Sequence, residues 1–248
     1  MDFQNLPVFP RICVGATRAM YVGPGLSLEP HANAATTIAI ALAGSMQVRF
    51  SDEKGGWSDW IEGSSQIIIS GKLHHLKSNG VMAFLYIDPL TIGHEALAAL
   101  DLSAGRSKIK ELYPALQLDD AFEAFNLRQK NIKDQRILKI VKEIDNDPLR
   151  FLNLKSAAES AFLSPSRFRD RFFDQVGLPF GRYRIWKRMA HVMKHLSDGK
   201  NITYAASSVG FSTPSHFSAS FKKMFGVSAR EIIALNAKIE IIGDDHYN

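Results

Sequence analysis

Cysteine is nearly absent: Cys13 is the one thiol in 248 residues. A single thiol excludes an internal disulfide framework and a cysteine-rich zinc site, and Cys13 reads as an inert strand residue. Long apolar runs are lacking too. The longest candidates, such as Thr37 to Gly44, fall short of the roughly 18 residues a membrane span needs. The N-terminal Met1-Asp2-Phe3-Gln4 has none of the basic and apolar pattern of a secretory signal. The expectation is a cytoplasmic protein with no membrane partner. What is present is ordinary for a globular chain: 46% hydrophobic, 22% charged and 10% aromatic residues. That excludes a disordered or low-complexity chain and supplies enough apolar material for a core.

Net charge is only +5, but it is unevenly spread. Residues 1–127 carry 9 Lys+Arg against 13 Asp+Glu, a net of −4. Residues 128–248 carry 21 against 12, a net of +9. An acidic half joined to a basic half points to one domain that meets a polyanion and one that does not. The expected domains are 1–127 and 128–248, with the polar stretch 128–134 as the boundary.

Residues from about 10 to 90 read as strands. Thr36 to Leu42, Met46 to Phe50, Ser65 to Ile69 and Val81 to Ile87 are short, apolar and rich in β-branched residues. Gly and polar clusters separate them, which predicts a small barrel or sandwich. From Gly93 to Arg128 the chain turns to Ala, Leu, Glu and Lys, with helix-spaced Phe122, Phe125 and Leu127, predicting two or three helices. The second half reads as helical: Ile137, Ile140, Val141 and Ile144 make one apolar stripe, and Ile185, Met189, Val192 and Leu196 another.

The basic half also repeats itself. Leu154-x-x-Ala157-Ala158-x-x-Ala161-Phe162-Leu163-Ser164-Pro165-Ser166-x-Phe168-x-x-x-Phe172, then Gly177-Leu178, is matched by Ile202-x-x-Ala205-Ala206-x-x-Val209-Gly210-Phe211-Ser212-Thr213-Pro214-Ser215-x-Phe217-x-x-x-Phe221, then Gly226-Val227. The offset is 48 up to the turn and 49 after it, so Thr213 is an insertion. Each copy makes sense as helix-turn-helix rather than as one of two unrelated helical hairpins. Paired alanines let two helices cross closely. Ser164 or Thr213 can cap the second helix, with proline at its first position. The paired phenylalanines bury one face, and Gly177 and Gly226 stand where the helices end.

With the phenylalanines inward, the outward residues of the first copy are Ser166, Arg167, Arg169, Asp170 and Arg171. Arginines at the start of an exposed helix suit guanine and phosphate contacts. In the second copy they are Ser215, His216, Ser218, Ala219 and Ser220, then Lys222 and Lys223. That face is small and weakly polar, suited to phosphate contacts and shape reading.

Here the sequence resembles the DNA-binding domain of the AraC family of bacterial transcription regulators, over about residues 134–233. Lys187-Arg188-Met189-Ala190, Leu196, Ile202 to Ala206, Val209-Gly210-Phe211 and Phe217-x-x-x-Phe221-Lys222-Lys223-x-Phe225-Gly226-Val227-Ser228 follow its signature. Ala205 departs from the usual Ile or Val, and Ala229 from the usual Pro. The resemblance implies two helix-turn-helix units joined by a long helix, here about Phe180 to Leu196, with recognition helices in major grooves roughly 34 Å apart. The positions similar to the family's base-contacting ones are Ser166, Arg169, Asp170, Ser215 and Ala219. Asp170 stands where a basic residue is common; it either accepts from cytosine or pairs with Arg167 or Arg171.

The first half is similar, more loosely, to the family's cupin-like sensor barrel. Pro30-His31, Leu42-Ala43-Gly44-x-Met46-x-Val48 and Ile67 through His75 carry that likeness. It implies effector binding at His31, His74 and His75, and a homodimer. The expected class is α+β and multidomain: a cupin-like β-barrel with following helices, then an all-α double helix-turn-helix domain. The expected function is a DNA-binding transcription regulator under small-molecule control, meeting RNA polymerase if it activates. An effector-independent regulator and a metal-dependent cupin enzyme fused to a DNA-binding module are the alternatives. The enzyme is disfavoured, because Asn33 stands where a second ligand would, Ile69 replaces a proline, and adjacent His74 and His75 point to opposite faces of a strand. No cofactor, metal or catalytic residue is expected.

Overall fold

A computed structural model describes residues 10–15, 17–127 and 132–242. The boundary stretch 128–134 therefore lies partly outside the described residues, as does the N-terminal tetrapeptide. The elements run β1 Arg11–Val14, β2 Arg18–Pro24, β3 Ser27–His31, β4 Thr36–Ala43, β5 Met46–Phe50, β6 Ile61–Gly63, β7 Ser65–Ile68, β8 His74–Ser78 and β9 Val81–Ile87. Then come α1 His94–Ala98, α2 Leu102–Leu112, α3 Leu118–Glu123, α4 Gln135–Asn146, α5 Leu154–Ser160, α6 Pro165–Val176 and α7 Phe180–Ser197. α8 Ile202–Ser208, α9 Pro214–Phe225, α10 Ala229–Ala234 and β10 Lys238–Ile241 follow, the last elements among the described residues.

These form two compact units. One takes the described residues of Met1–Cys13, Arg18–Arg128 and Ser218–Glu240; the other those of Val14–Thr17, Gln129–Phe217 and Ile241–Asn248. The units do not follow a single cut at 127/128, because the chain's last elements return to the first unit.

The first unit is built on two sheets, of order β10-β1-β2-β9-β4-β7 and β3-β8-β5-β6. The expected strands appear as β4, β5, β7 and β9. The barrel does not close: among the described residues no ladder joins the two sheets. Their junction falls at Gly63 and Ser64, where β6 ends in the small sheet and β7 starts in the large one. β4 and β9 are central and buried on both faces, which is why they read as continuous apolar runs rather than as alternation. α2 lies along β4, where Arg106 Nε donates to Ala41 O at 2.8 Å. Gly105 permits that helix to lie flush on the Phe125 ring, into which any Cβ there would run.

The strand β10 is a departure from an all-helical second half. Lys238 N donates to Pro10 O at 2.7 Å, and Glu240 receives Arg11 at 2.9 Å. Upstream, Ala34 N donates to Lys223 O at 2.7 Å and so supplies a donor to the orphan carbonyls at the end of α9. Phe225 packs edge-on against Tyr86. These contacts attach Ser218–Glu240 to the sheets. Cys13 is fully buried, donates to Glu240 Oε2, and has its thiol pushed up to about 12 by burial first and Glu240 next, so it is inert.

The second unit is helical. The α4 stripe of Ile137, Ile140, Val141 and Ile144 is buried as its spacing requires. Asn153, Ser164 and Asn201 each cap a helix, and Pro165 takes a first-turn position. Ala157, Ala158, Ala205 and Ala206 are fully buried, and the small residues let their helices approach closely. Phe168, Phe172, Phe180 and Tyr183 form one aromatic cluster, with centroids 5.4–5.5 Å apart. Phe211 and Phe217 meet at 5.4 Å in the second copy. The turn residue is left-handed in both copies, as Phe162 (φ 54) and as Gly210 (φ 79).

Candidate nucleic-acid interface

The second helix of the first copy is α6. Ser164 Oγ accepts the Arg167 amide at 3.3 Å, which fixes where the helix begins. Burying Phe168 and Phe172 then turns Ser166, Arg167, Arg169, Asp170 and Arg171 to solvent, and all five are exposed. Arg171 is tethered, with Nε 3.5 Å from Asp134 Oδ2. Asp170 pairs with neither Arg167 nor Arg171, so the ion-pair alternative for this carboxylate is not realised among the described residues. Among the described residues, Arg167, Arg169 and Asp170 are thus presented without a competing ion pair.

Asp134 belongs to the site's frame, a role its sequence position did not reveal. It caps α4, accepts Arg136 Nη2 at 2.7 Å, and holds Arg171. Arg136, foremost through its hydrogen bond, holds the Asp134 carboxyl below the usual carboxylate range. Arg136, Arg167, Asp170 and Arg171 border an open groove of about 470 Å³ along α6. The mixed charge of that groove suits phosphate at one edge and a base-edge amine at the other.

The second helix of the second copy is α9. Thr213 Oγ1 accepts the His216 amide at 3.0 Å, so the inserted threonine is the cap. Ser215, His216 and Ala219 are exposed, and Ser218 and Ser220 are half-buried. His216 is partly committed to the turn: its Nδ1 lies 3.1 Å from Ser212 Oγ, and its ring meets Phe211. Lys222 and Lys223 are exposed in the last turn, where the helix dipole favours cations.

The three histidines expected at the effector site separate. His31 and His74 come together, with ring centroids 4.3 Å apart. Each Nδ1 meets a backbone carbonyl, of Glu29 and Lys72 respectively, which leaves each Nε2 as the acceptor. Burial pushes both rings toward neutrality, His74 down to about 4. His31 Nε2 and Asn33 Oδ1 are buried with no hydrogen-bond partner. His75 instead faces away from His74, since neighbours on a strand point to opposite sides. It lies 5.0 Å from the Trp60 ring and 3.2 Å from Arg49 Nη2. Among the described residues no group of three or more His, Cys, Asp or Glu is arranged to hold a metal ion. Nor is any helix there long and apolar enough to cross a membrane.

The chain thus combines a sheet-rich region with a duplicated helix-turn-helix. Residues 157–234 match the helix-turn-helix domain family. A search of curated proteins finds no match. Among solved structures the chain is similar to ToxT from Vibrio cholerae, at 12% identity over 88% of this chain and 98% of that one, with a TM-score of 0.46. It is also similar to an AraC-type regulator from Chromobacterium violaceum, at 21% identity over 40% of this chain and 90% of that one, with a TM-score of 0.38. Oxalate decarboxylase from Bacillus subtilis is matched at 21% identity over 29% of this chain, with a TM-score of 0.26. The chain spans about a fifth of that enzyme's length, 21%.

Proposed function

We propose that this protein is a sequence-specific, DNA-binding transcription regulator of the AraC type. The observation that carries the reading is α6 within the repeated helix-turn-helix: a capped, exposed helix start presenting Arg167, Arg169 and Asp170 unpaired. In this reading Arg169 and Asp170 address base edges, Arg167 and Arg171 address phosphate, and Ser166 packs at the groove. On α9, Ser215, His216, Ser218 and Ala219 lie against the second groove, and Lys222 and Lys223 hold phosphates. The acidic, sheet-rich unit is the sensor. Its support is the pair of half-buried His31 and buried His74, beside Asn33 Oδ1, which has no hydrogen-bond partner among the described residues and to which a small polar effector would present donors. His75 stands outside that pair and belongs to the opposite face.

The protein acts as a homodimer and meets RNA polymerase where it activates. Selection of duplexes from a random pool tests the reading: one enriched site with two half-sites is the expected result. Enrichment of no sequence overturns it. Reproducible thermal stabilisation by one compound in a metabolite panel tests the sensor assignment, and its loss in His74→Gln locates the site.

A further inference from the structure

The long helix α7 holds two arginines that DNA reading by α6 and α9 leaves unexplained. Arg184 and Arg188 are four residues apart and so lie on one face of the helix. Both are half-buried, and among the described residues neither has a carboxylate partner. Each spends part of its fork on a backbone carbonyl. Arg184 Nη1 donates to Leu152 O at 3.1 Å, next to the Asn153 cap of α5. Arg188 Nε donates to Val209 O at 2.6 Å, in the turn between α8 and α9. Phe211 lies beneath the Arg188 guanidinium at 4.2 Å, and Phe180 beneath that of Arg184 at 5.7 Å. The forks are therefore fixed rather than free to wander.

The remaining donors are what call for a ligand. Arg184 Nε and Arg188 Nη2 are buried and have no hydrogen-bond partner. Buried donors left unmade are costly, the more so on charged groups. Burial lowers the pKa of both guanidiniums, and Arg184 lowers that of Arg188 further. Two adjacent cations in a low-dielectric setting, without counter-charge and with donors in reserve, suit a tetrahedral oxyanion.

Their placement says which one. In a helix-turn-helix the first helix crosses the DNA backbone and the second enters the groove at its N-terminus. Arg184 adjoins the start of α5, the first helix of one unit. Arg188 stacks on Phe211, which itself contacts His216 at the start of α9, the second helix of the other unit.

We propose that Arg184 and Arg188 form a phosphate site on α7 that grips one phosphodiester of the duplex between the two major-groove contacts. This rests on the DNA-reading proposal above and adds to it a third contact, made by the connecting helix.

The test uses the full chain and the duplex it selects, with neutral methylphosphonates placed singly between the half-sites. For the unmodified protein, one central position is expected to cost roughly tenfold in affinity, as loss of a charge-assisted hydrogen bond should. The double variant Arg184→Gln, Arg188→Gln should lose a similar factor on unmodified DNA and nothing more from that methylphosphonate. Its salt dependence should be shallower by about 0.9 in log–log slope, one phosphate's worth. Arg188→Lys, which keeps the charge, guards against a folding defect and should retain most of the slope. Arg169→Ala should keep the methylphosphonate sensitivity while losing base preference. Indifference of the unmodified protein to every central methylphosphonate overturns the site but not the DNA reading. Selection of no duplex overturns both. Calorimetric titration with inorganic phosphate separates the remaining source: binding of the free anion together with indifference to central methylphosphonates would assign the site to free phosphate and overturn the duplex contact.

Discussion

The two copies of the helix-turn-helix share their architecture and differ in what they present. Both have fully buried alanine pairs, a left-handed turn residue, a hydroxyl cap and an inward phenylalanine pair. Outside, the first copy exposes three arginines and an aspartate, whereas the second exposes serine, histidine and alanine ahead of two lysines. The turn differs too, with an exposed Phe162 in one copy and Gly210 in the other. Apolar positions specify the scaffold, and they are repeated. The outward positions are free to diverge, and there the copies present a charged face and a small-surfaced one.

The scaffold half of that comparison carries the largest effect. Phe168→Ala and Phe217→Ala, at matching positions of the two copies, should each destabilise by about 3–5 kcal/mol, since both rings are fully buried. Denaturant unfolding measures this, and a large inequality between them would break the equivalence of the two cores.

The reading half follows. Arg169→Ala should weaken specific binding by roughly 1–3 kcal/mol and relax preference at one base pair. Ser215→Ala should cost much less, by competition against the selected site. Equal losses would mean that the copies read alike.

The turn is next. Phe162 pays for a left-handed backbone without gaining burial, being 88% exposed. Phe162→Gly should therefore raise stability by roughly 1 kcal/mol, seen as a higher Tm. Gly210→Ala should lower it, because a Cβ there meets both an adverse φ and Leu149.

The smallest effect concerns the tether present in the first copy. Asp134 has a depressed pKa in the folded state, so its contribution is present above the unfolded value of about 3.9 and is lost as pH falls through the folded one. Asp134→Asn should lower Tm slightly at pH 7, within about 1 kcal/mol, and the difference should shrink as pH falls below the unfolded value. It also frees Arg171, so a measurable gain in DNA affinity would identify that arginine as held back by the tether.

Much of this was legible in the residues. Caps at Ser164 and Thr213, the α4 stripe and strands β4, β5, β7 and β9 are local signals, and each was realised. The opposite facing of His74 and His75 followed from strand geometry alone. The strand at Lys238–Ile241 was not legible: it is short, it follows helices, and its reason to exist is the distant edge of β1. The open sheet pair was equally hidden, because whether strands close a barrel depends on where ladders end. At the candidate interface the exposed face of α6 was readable, but the tie of Arg171 to Asp134 was not.

By itself the sequence determined the repeat, its helix boundaries and the split between an acidic and a basic half, because periodicity, capping and charge act over a few residues. Only the tertiary structure decided which histidines meet and that the strand Lys238–Ile241 joins the sheet. It alone decided, too, that Arg184 and Arg188 hold donors in reserve. Those outcomes depend on residues far apart in the chain sharing a buried, low-dielectric space, where every unpaired polar atom counts.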